Sequence, residues 1–244
     1  DPITGESSRS LILTIEIEPP KAPTTTTITA DVPAPSEVGQ PANITVTVTG
    51  GSTTPTGTVN ITGADTNCTI TLASGTGSCN IIFASTGSKT ITALYTGDDE
   101  PANSSDTEPH TVVPSTTVTT ITADTPDPSI PGGTVVVGVT VTSVYGGTPS
   151  GTVNITGADT NCTITLSSGT GNCNANFLSA GTKTLTATYT GDATHNTSAD
   201  TELHTVSSPG VTTTTITADS PDPSNIGQAV TVSVAVTGTT TPTG

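Results

Sequence analysis

The chain carries very little positive charge, no tryptophan, no methionine and few aromatic residues. Only four of its 244 residues are Lys or Arg against 20 Asp or Glu, which gives a formal net charge of -16 at pH 7. With no basic patch to neutralise phosphates, the sequence argues against a nucleic-acid partner. Aromatic residues make up 2% of the chain, so sugar-stacking side chains are scarce. For direct carbohydrate binding, only Tyr145 at a turn tip is a candidate.

Long apolar runs are also missing. No segment is long enough to span a membrane, and the first residues lack the basic and then apolar pattern of a signal peptide. We therefore expect no membrane insertion in this stretch, and either a signal peptide already removed or a start inside a longer chain. The low content of large aliphatic residues borders on that of disordered chains. However, these residues alternate with polar ones, which predicts short half-buried strands.

An internal repeat determines the domain organisation. The run GTVNITGADTNCTITL occupies residues 57–72 and recurs without change at 151–166. The length of this sequence repeat therefore sets the length of the predicted domains. We predict two full domains, the first repeat at 24–115 and the second repeat at 116–210. Residues 1–23 are expected to be the last strand and linker of a preceding or partner-completed domain. Residues 211–244 are expected to be the N-terminal part of a further domain.

Each repeat shows the alternation of a small β-sandwich. In the first repeat Ile44, Val46 and Val48 share one strand face, and the same alternation recurs in segments separated by Gly- and Pro-containing turns. About seven short antiparallel strands at such spacing are typical of an immunoglobulin-like domain. The predicted fold class is therefore all-β, with tandem immunoglobulin-like β-sandwiches.

Four cysteines form two equivalent pairs, one in each repeat. Cys68 and Cys79 flank the segment TITLASGTGS, and Cys162 and Cys173 flank its counterpart. We predict a disulfide in each repeat, spanning one ladder of a β-hairpin. Free thiols are the alternative, and a zinc site lacks further ligands. Disulfides indicate an oxidising compartment, so we expect an extracellular or cell-surface location.

One strand is predicted before the first repeat. Over residues 10–18, Leu11, Leu13, Ile15 and Ile17 alternate with Ile, Thr, Glu and Glu. This alternation is typical of a half-buried strand. Such a strand must pair with a sheet of a preceding domain, of the same chain, or of a neighbouring molecule. The expected partners are adjacent repeats of one long chain or copies of itself through an inter-subunit donor strand. We prefer the longer chain.

Two kinds of modified or ligand-bearing position are candidates. Seven sequons mark possible glycosylation sites, although a chain so rich in Ser and Thr makes sequons by chance: Asn43, Asn60, Asn67, Asn103, Asn154, Asn161 and Asn196. Asp98, Asp99 and Asp192 are weak calcium candidates, because hard cations prefer carboxylate oxygens. Solvated loop acids are the alternative, and no other metal or cofactor is expected.

Catalytic patterns are not apparent. His110 and His204 hold equivalent positions on the closing strand, but the sequence places no carboxylate or nucleophile reproducibly beside them. Lys89 and Lys183 are equivalent too; an isopeptide bond would need a buried amine beside Asn, whereas a lysine at a sheet end usually reaches water. Nothing matches a hydrolase triad, a paired-carboxylate site or a phosphate loop, so we expect no enzyme activity.

Three segments carry a family resemblance. TTTTITADSPDPSNIGQAVTVSVAVTG, PTGTVNIT and TKTLTATYTGDATHNTS resemble the bacterial immunoglobulin-like repeat found in tandem in large secreted and surface proteins. The resemblance covers nearly the whole chain after residue 23, and the cysteine pair departs from the commoner form. It implies a spacer, adhesin stalk or fibre subunit. The sequence therefore predicts an extracellular structural protein, a subunit or segment of a cell-surface filament; the alternative is a rod-like stalk of a large adhesin or surface enzyme whose functional head lies elsewhere.

Overall fold

The structure is a computed structural model that describes residues 20–97, 102–208 and 210–238. Every regular element in these ranges is a strand, as expected for segments rich in Thr, Val and Ile. No helix in the described ranges is long and apolar enough to cross a membrane. The described residues divide into two compact units, one made of 20–36 and 41–112 and the other of 37–40 and 113–238.

The first unit is a sandwich of two sheets. Its strands are β1 (Thr24–Val32), β2 (Ser36–Glu37), β3 (Pro41–Gly50), β4 (Thr58–Thr62), β5 (Cys68–Thr71), β6 (Thr76–Ile82), β7 (Gly87–Thr96) and β8 (Ser104–Val113). One sheet has the order β1-β3-β6 and the other β2-β8-β7-β4-β5. Alternate side chains of both sheets meet between them, and the largest fully buried ones include Tyr95, Phe83 and Ile44.

The second unit contains an equivalent sandwich. Its strands are β9 (Thr117–Thr125), β10 (Thr134–Ser143), β11 (Thr152–Thr156), β12 (Cys162–Thr165), β13 (Thr170–Asn176), β14 (Gly181–Tyr189) and β15 (Ser198–Val206). The sheet orders are β13-β10-β9 and β12-β11-β14-β15. Tyr189, Phe177 and Leu185 are fully buried at positions equivalent to Tyr95, Phe83 and Ile91. Both repeats therefore build one core from one pattern.

The cysteine strands are not a hairpin ladder. β5 pairs with β4, and β6 pairs with β3, so the two cysteine strands lie in opposite sheets. A tight turn with Ser74 and Gly75 at positive φ carries the chain from one sheet to the other. A Cβ at Gly77 would lie 2.4 Å from Ile70 Cγ2, so glycine leaves room for Ile70 between the sheets. The prediction of a single ladder is wrong because inward alternation looks the same for a hairpin and for an arch.

The third repeat contributes a two-stranded sheet. Its strands are β16 (Thr212–Ser220) and β17 (Thr231–Gly238), paired antiparallel. Val232, Val234 and Val236, predicted to face a core, are 53%, 59% and 45% exposed. This sheet has no second layer among the described residues. The strand predicted at residues 10–18 lies outside the described ranges.

Candidate functional site

The first and last strands of each sandwich are joined by polar side chains. In the first repeat, β1 and β8 belong to different sheets. The Ser104 hydroxyl lies 2.8 Å from the Thr24 hydroxyl and 2.7 Å from the Thr26 hydroxyl. Further along, the Ile28 N–H donates to Asp106 Oδ2 over 2.8 Å. These bonds connect the two sheets at an edge of the sandwich where β8 and the residues just before it also make backbone contacts with β2 and with the segment before β1. We call this row and the histidine row that continues it the polar seam.

The seam ends in a buried histidine row. His110 Nδ1 lies 2.7 Å from Asp31 Oδ2, and its Nε2 lies 2.7 Å from Ser36 Oγ. Since a carboxylate can only accept, Nδ1 donates to Asp31. The ring also stacks on Phe83 with centroids 4.7 Å apart. This row ties the loop after β1 to the closing strand at a site where an unmade hydrogen bond is costly.

The second repeat rebuilds the seam. The Ser198 hydroxyl accepts from Thr117 at 2.8 Å and lies 2.7 Å from the Thr119 hydroxyl. The Ile121 N–H donates to Asp200 Oδ2 over 2.8 Å. Each of these contacts matches one in the first repeat, residue for residue. The seam is therefore a property of the repeat unit.

The histidine row recurs as well. His204 Nδ1 donates to Asp124 Oδ2 at 3.0 Å, and Nε2 lies 2.8 Å from Ser129 Oγ. The ring stacks on Phe177 with centroids 4.5 Å apart. His204 is fully buried and Ser129 is 2% exposed.

The order Ser, His, Asp is that of a hydrolase triad, but its environment differs. A catalytic serine must meet a substrate carbonyl, whereas Ser36 is fully buried and Ser129 nearly so. Both hydroxyls lie inside the sandwich, so the rows join strands. The expectation that no carboxylate or nucleophile accompanies His110 and His204 is wrong. Their partners are 74 to 80 positions away, and the shared D-x-P-x-P-S segment was the available signal.

The opposite edge of each sandwich is closed by a disulfide. Cys68 joins Cys79 and Cys162 joins Cys173, with Cα atoms 6.3 and 6.1 Å apart. In each case one cysteine belongs to the edge strand of one sheet and its partner to the edge strand of the other. Each sandwich is therefore fastened covalently at one edge and by the polar seam at the other.

Asp192 organises the loop after β14. Its carboxylate accepts from the Ser150 N–H and hydroxyl at 3.0 and 2.9 Å, from the Thr194 N–H at 2.8 Å, and from His195 Nδ1 at 2.9 Å. Burial alone would raise the pKa of Asp192, but these donors hold it well below its usual value. Burial and the nearby Asp192 carboxylate raise the pKa of Tyr189 to about 12. Calcium at Asp192 stays a prediction, and Asp98 and Asp99 lie outside the described ranges.

The other predicted positions are at the surface. All seven sequon asparagines are exposed or half-buried, and glycosylation stays a prediction. The amines of Lys89 and Lys183 each donate to a serine hydroxyl at 2.8 Å, Ser85 and Ser179 respectively. These are exposed contacts at the beginning of a strand, as expected for lysines that reach toward water.

Comparison with known proteins identifies the repeated unit. The family model described as bacterial Ig-like domain (group 3) matches residues 28–114 and 121–208. No curated protein matches the chain. Among solved structures, the fibronectin(III)-like modules of Clostridium thermocellum CbhA are similar, with 19% identity over 75% of this chain and 94% of that one, at a TM-score of 0.33.

Two adhesins are similar as well. The Escherichia coli adhesin FdeC shows 13% identity over 76% of this chain and 64% of its own, at a TM-score of 0.29. A Ca²⁺-stabilized adhesin that helps an Antarctic bacterium reach out and bind ice shows 22% identity over 84% of this chain and 54% of its own, at a TM-score of 0.30. At these TM-scores the likenesses carry no argument about function. The matched family and the strand order confirm the predicted all-β fold class, and the chain belongs to the bacterial immunoglobulin-like domains of group 3.

Proposed function

We propose that this chain is a tension-bearing structural segment at the bacterial cell surface, a subunit or segment of a filament built from tandem immunoglobulin-like domains. Tandem membership of the bacterial Ig-like family supports a structural or adhesin-related role. The two disulfides support an extracellular location, because such bonds persist in oxidising compartments.

The polar seam is the observation that carries the proposal. In a tandem chain, each domain is linked to its neighbours through its first and last strands, so tension enters at β1 and leaves at β8. The seam joins these two strands directly, through Thr26 to Ser104 and Asp31 to His110. Pulling the ends apart would break this row of bonds together with the backbone pairing between β2 and β8. The same row recurs between β9 and β15, as a device that serves every domain of a filament should.

In the filament form, a strand of another copy would pack on the exposed face of the third repeat. Val232, Val234 and Val236 lie at alternate positions of β17 and are about half exposed, and Ile216 lies opposite Val234. A strand with alternating apolar residues could cover this face. The predicted strand at residues 10–18 of a second copy has that pattern in Leu11, Leu13, Ile15 and Ile17, so head-to-tail strand donation would cover part of this face.

A stalk is the alternative form of the same role. The tandem match to one domain family is equally what a spacer presents when its functional head lies elsewhere. In that form the sheet of β16 and β17 is completed by residues that follow it in a longer chain. Tension still passes through the same seam.

A pulling experiment with matched threonine variants tests the tension-bearing role. Thr26 is 4% exposed and belongs to the seam, whereas Thr27 on the same strand is exposed. With the chain held at both ends, Thr26→Val should lower the force at which one repeat unfolds, and Thr27→Val should not. Thr119→Val and Thr120→Val form the same pair in the second repeat. Equal effects within each pair would refute the proposal.

Electron microscopy separates filament from stalk. If strand donation builds a filament, the purified chain should form regular fibres, and Ile15→Asp should abolish them because a charge cannot enter the apolar layer. Dispersed single particles of the unaltered chain would contradict the filament and leave the stalk.

A further inference from the structure

The histidine row of the second repeat has a carboxylate that the first repeat lacks. The segment that begins at the end of β9 reads Asp124-Thr-Pro-Asp127-Pro-Ser129, and the equivalent segment from the end of β1 has Ala34 where the second repeat has Asp127. The seam needs only Asp124, as the first repeat shows. Asp127 therefore adds a second negative group beside a histidine whose structural bonds are already made.

The three side chains converge on one small space. His204 Nδ1 lies 3.0 Å from Asp124 Oδ2 and 3.8 Å from Asp127 Oδ1, and all three ligand atoms lie within 4.8 Å of one another. The separation of 3.8 Å is too long for a hydrogen bond, and Nδ1 has a single proton, which Asp124 already accepts. The backbone N–H of Thr205 donates to Asp127 Oδ1 over 2.9 Å and holds the carboxylate in place.

We propose that Asp124, Asp127 and His204 form a binding site for one zinc-type divalent cation. Zinc takes imidazole nitrogen and carboxylate oxygen at about 2.0–2.2 Å, so ligand atoms on a tetrahedral ion lie roughly 3.3–3.6 Å apart. The separations from Nδ1, 3.0 and 3.8 Å, bracket that range. All three atoms lie within 4.8 Å of one another, so the side chains must draw together on binding. An imidazole ligand favours zinc over calcium or magnesium, which prefer oxygen. A water molecule would take the fourth position.

The other contacts of the histidine row are suited to hold His204 in place as a metal ligand. A ligating histidine needs its other ring nitrogen bound by a fixed partner, and Ser129 Oγ lies 2.8 Å from Nε2. On binding, the proton of the neutral ring leaves Nδ1, Nε2 carries one instead, and the Ser129 hydroxyl turns from donor to acceptor. Stacking on Phe177 keeps the ring oriented. The site opens to solvent on the carboxylate side, where the Asp127 side chain is 35% exposed and that of Asp124 is 18% exposed.

The two repeats supply matched variants for the test. The chain, stripped with a chelator, is titrated with zinc chloride and separately with calcium chloride in a calorimeter. The imidazole nitrogens of His110, His195 and His204 are followed by NMR. This is needed because Asp219 and Asp222 repeat the carboxylate pair in the third repeat, and the heat of zinc binding would not tell the two places apart. We expect zinc to shift only the His204 ring and to move its proton to Nε2. Asp127→Ala should weaken this binding by about 100-fold or more, because losing even an outer-shell partner costs roughly 10- to 100-fold.

A substitution in the first repeat shows that a loss of zinc binding in Asp127→Ala does not come from unfolding. Ala34→Asp installs the missing carboxylate in the first repeat, and His110 should then show the zinc-dependent shift as well. The proposal is overturned if the His204 ring does not respond to zinc, if Asp127→Ala leaves its response unchanged in a folded chain, or if calcium produces the same shift at equal concentration.

Discussion

The two edges of each sandwich are closed by different chemistry, and in the proposed function only one of them lies between the strands that carry tension. At one edge Cys68 and Cys79 are joined covalently within a short segment, which pulling from the chain ends does not cross. At the other edge the seam joins the first strand to the last through many hydrogen bonds. The disulfide therefore adds equilibrium stability to one half of the domain. In the proposed function the seam, together with the backbone pairing of β2 with β8, resists stretching. Altering one edge at a time therefore separates equilibrium stability from resistance to force.

Removing the ring at the end of the seam should have the largest effect. His110→Ala deletes a buried ring stacked on Phe83 and leaves Ser36 and Asp31 without their partner. We expect the free energy of unfolding of the first repeat to fall by about 3–5 kcal/mol. Denaturant-dependent hydrogen exchange on peptides from β7 measures it, with peptides from β14 as the unaltered control. A loss below about 1 kcal/mol, the net value of one ordinary hydrogen bond, would contradict the importance of the seam.

Removing the disulfide should cost less. Replacing Cys68 and Cys79 together by Ser opens a loop with a sequence separation of 11, for which chain entropy gives about 2–3 kcal/mol. The same hydrogen-exchange measurement applies, and the intact Cys162–Cys173 bond in the second repeat is the internal reference. A loss larger than that of His110→Ala would reverse the ranking of the two edges.

The smallest effect should come from the loop outside both edges. Asp192→Asn removes a carboxylate that accepts from Ser150, Thr194 and His195, and we expect a loss of about 1–2 kcal/mol at pH 7. Because folding lowers the pKa of Asp192, its stabilisation is present above the ordinary aspartate pKa of about 3.9 and is lost as the pH falls below it.

The pH dependence of that variant is the check. The difference in unfolding free energy between Asp192→Asn and the unaltered chain should be full at pH 7 and smaller at pH 3. A difference that stays constant between these two values would show that the charge of Asp192 contributes nothing. Asp200→Asn, which alters a seam carboxylate in the same repeat, gives a comparison between loop and seam.

The strands, and the side chains on them that face the core, could be predicted from the sequence. Alternation alone identified Ile44, Val46 and Val48, which are all buried, because a strand with one face in a core has period two. The cysteine pairing also followed from spacing. The sheet to which each cysteine strand belongs did not, because a hairpin and an arch between sheets present the same alternation.

The seam was beyond sequence reasoning for a different reason. Thr26 and Thr119 look like surface threonines, yet both are buried against serines about 80 positions away. A hydroxyl is compatible with either environment, so alternation of apolar residues gives no signal there. His110 lies in phase with Val112, which would have indicated an inward ring, but its partners follow only from knowing that the first and last strands meet. Polar contacts between residues so far apart in the sequence can be assigned only when the fold is known.

The most direct test of the seam is to stretch the chain by its ends with one edge altered at a time. We expect His110→Ala to lower the force at which the first repeat unfolds. Replacing Cys68 and Cys79 by Ser should leave that force near its original value and add only the length of residues 68–79 to the chain released. If instead the cysteine variant lowers the unfolding force and His110→Ala does not, tension is carried by the disulfide edge and not by the seam.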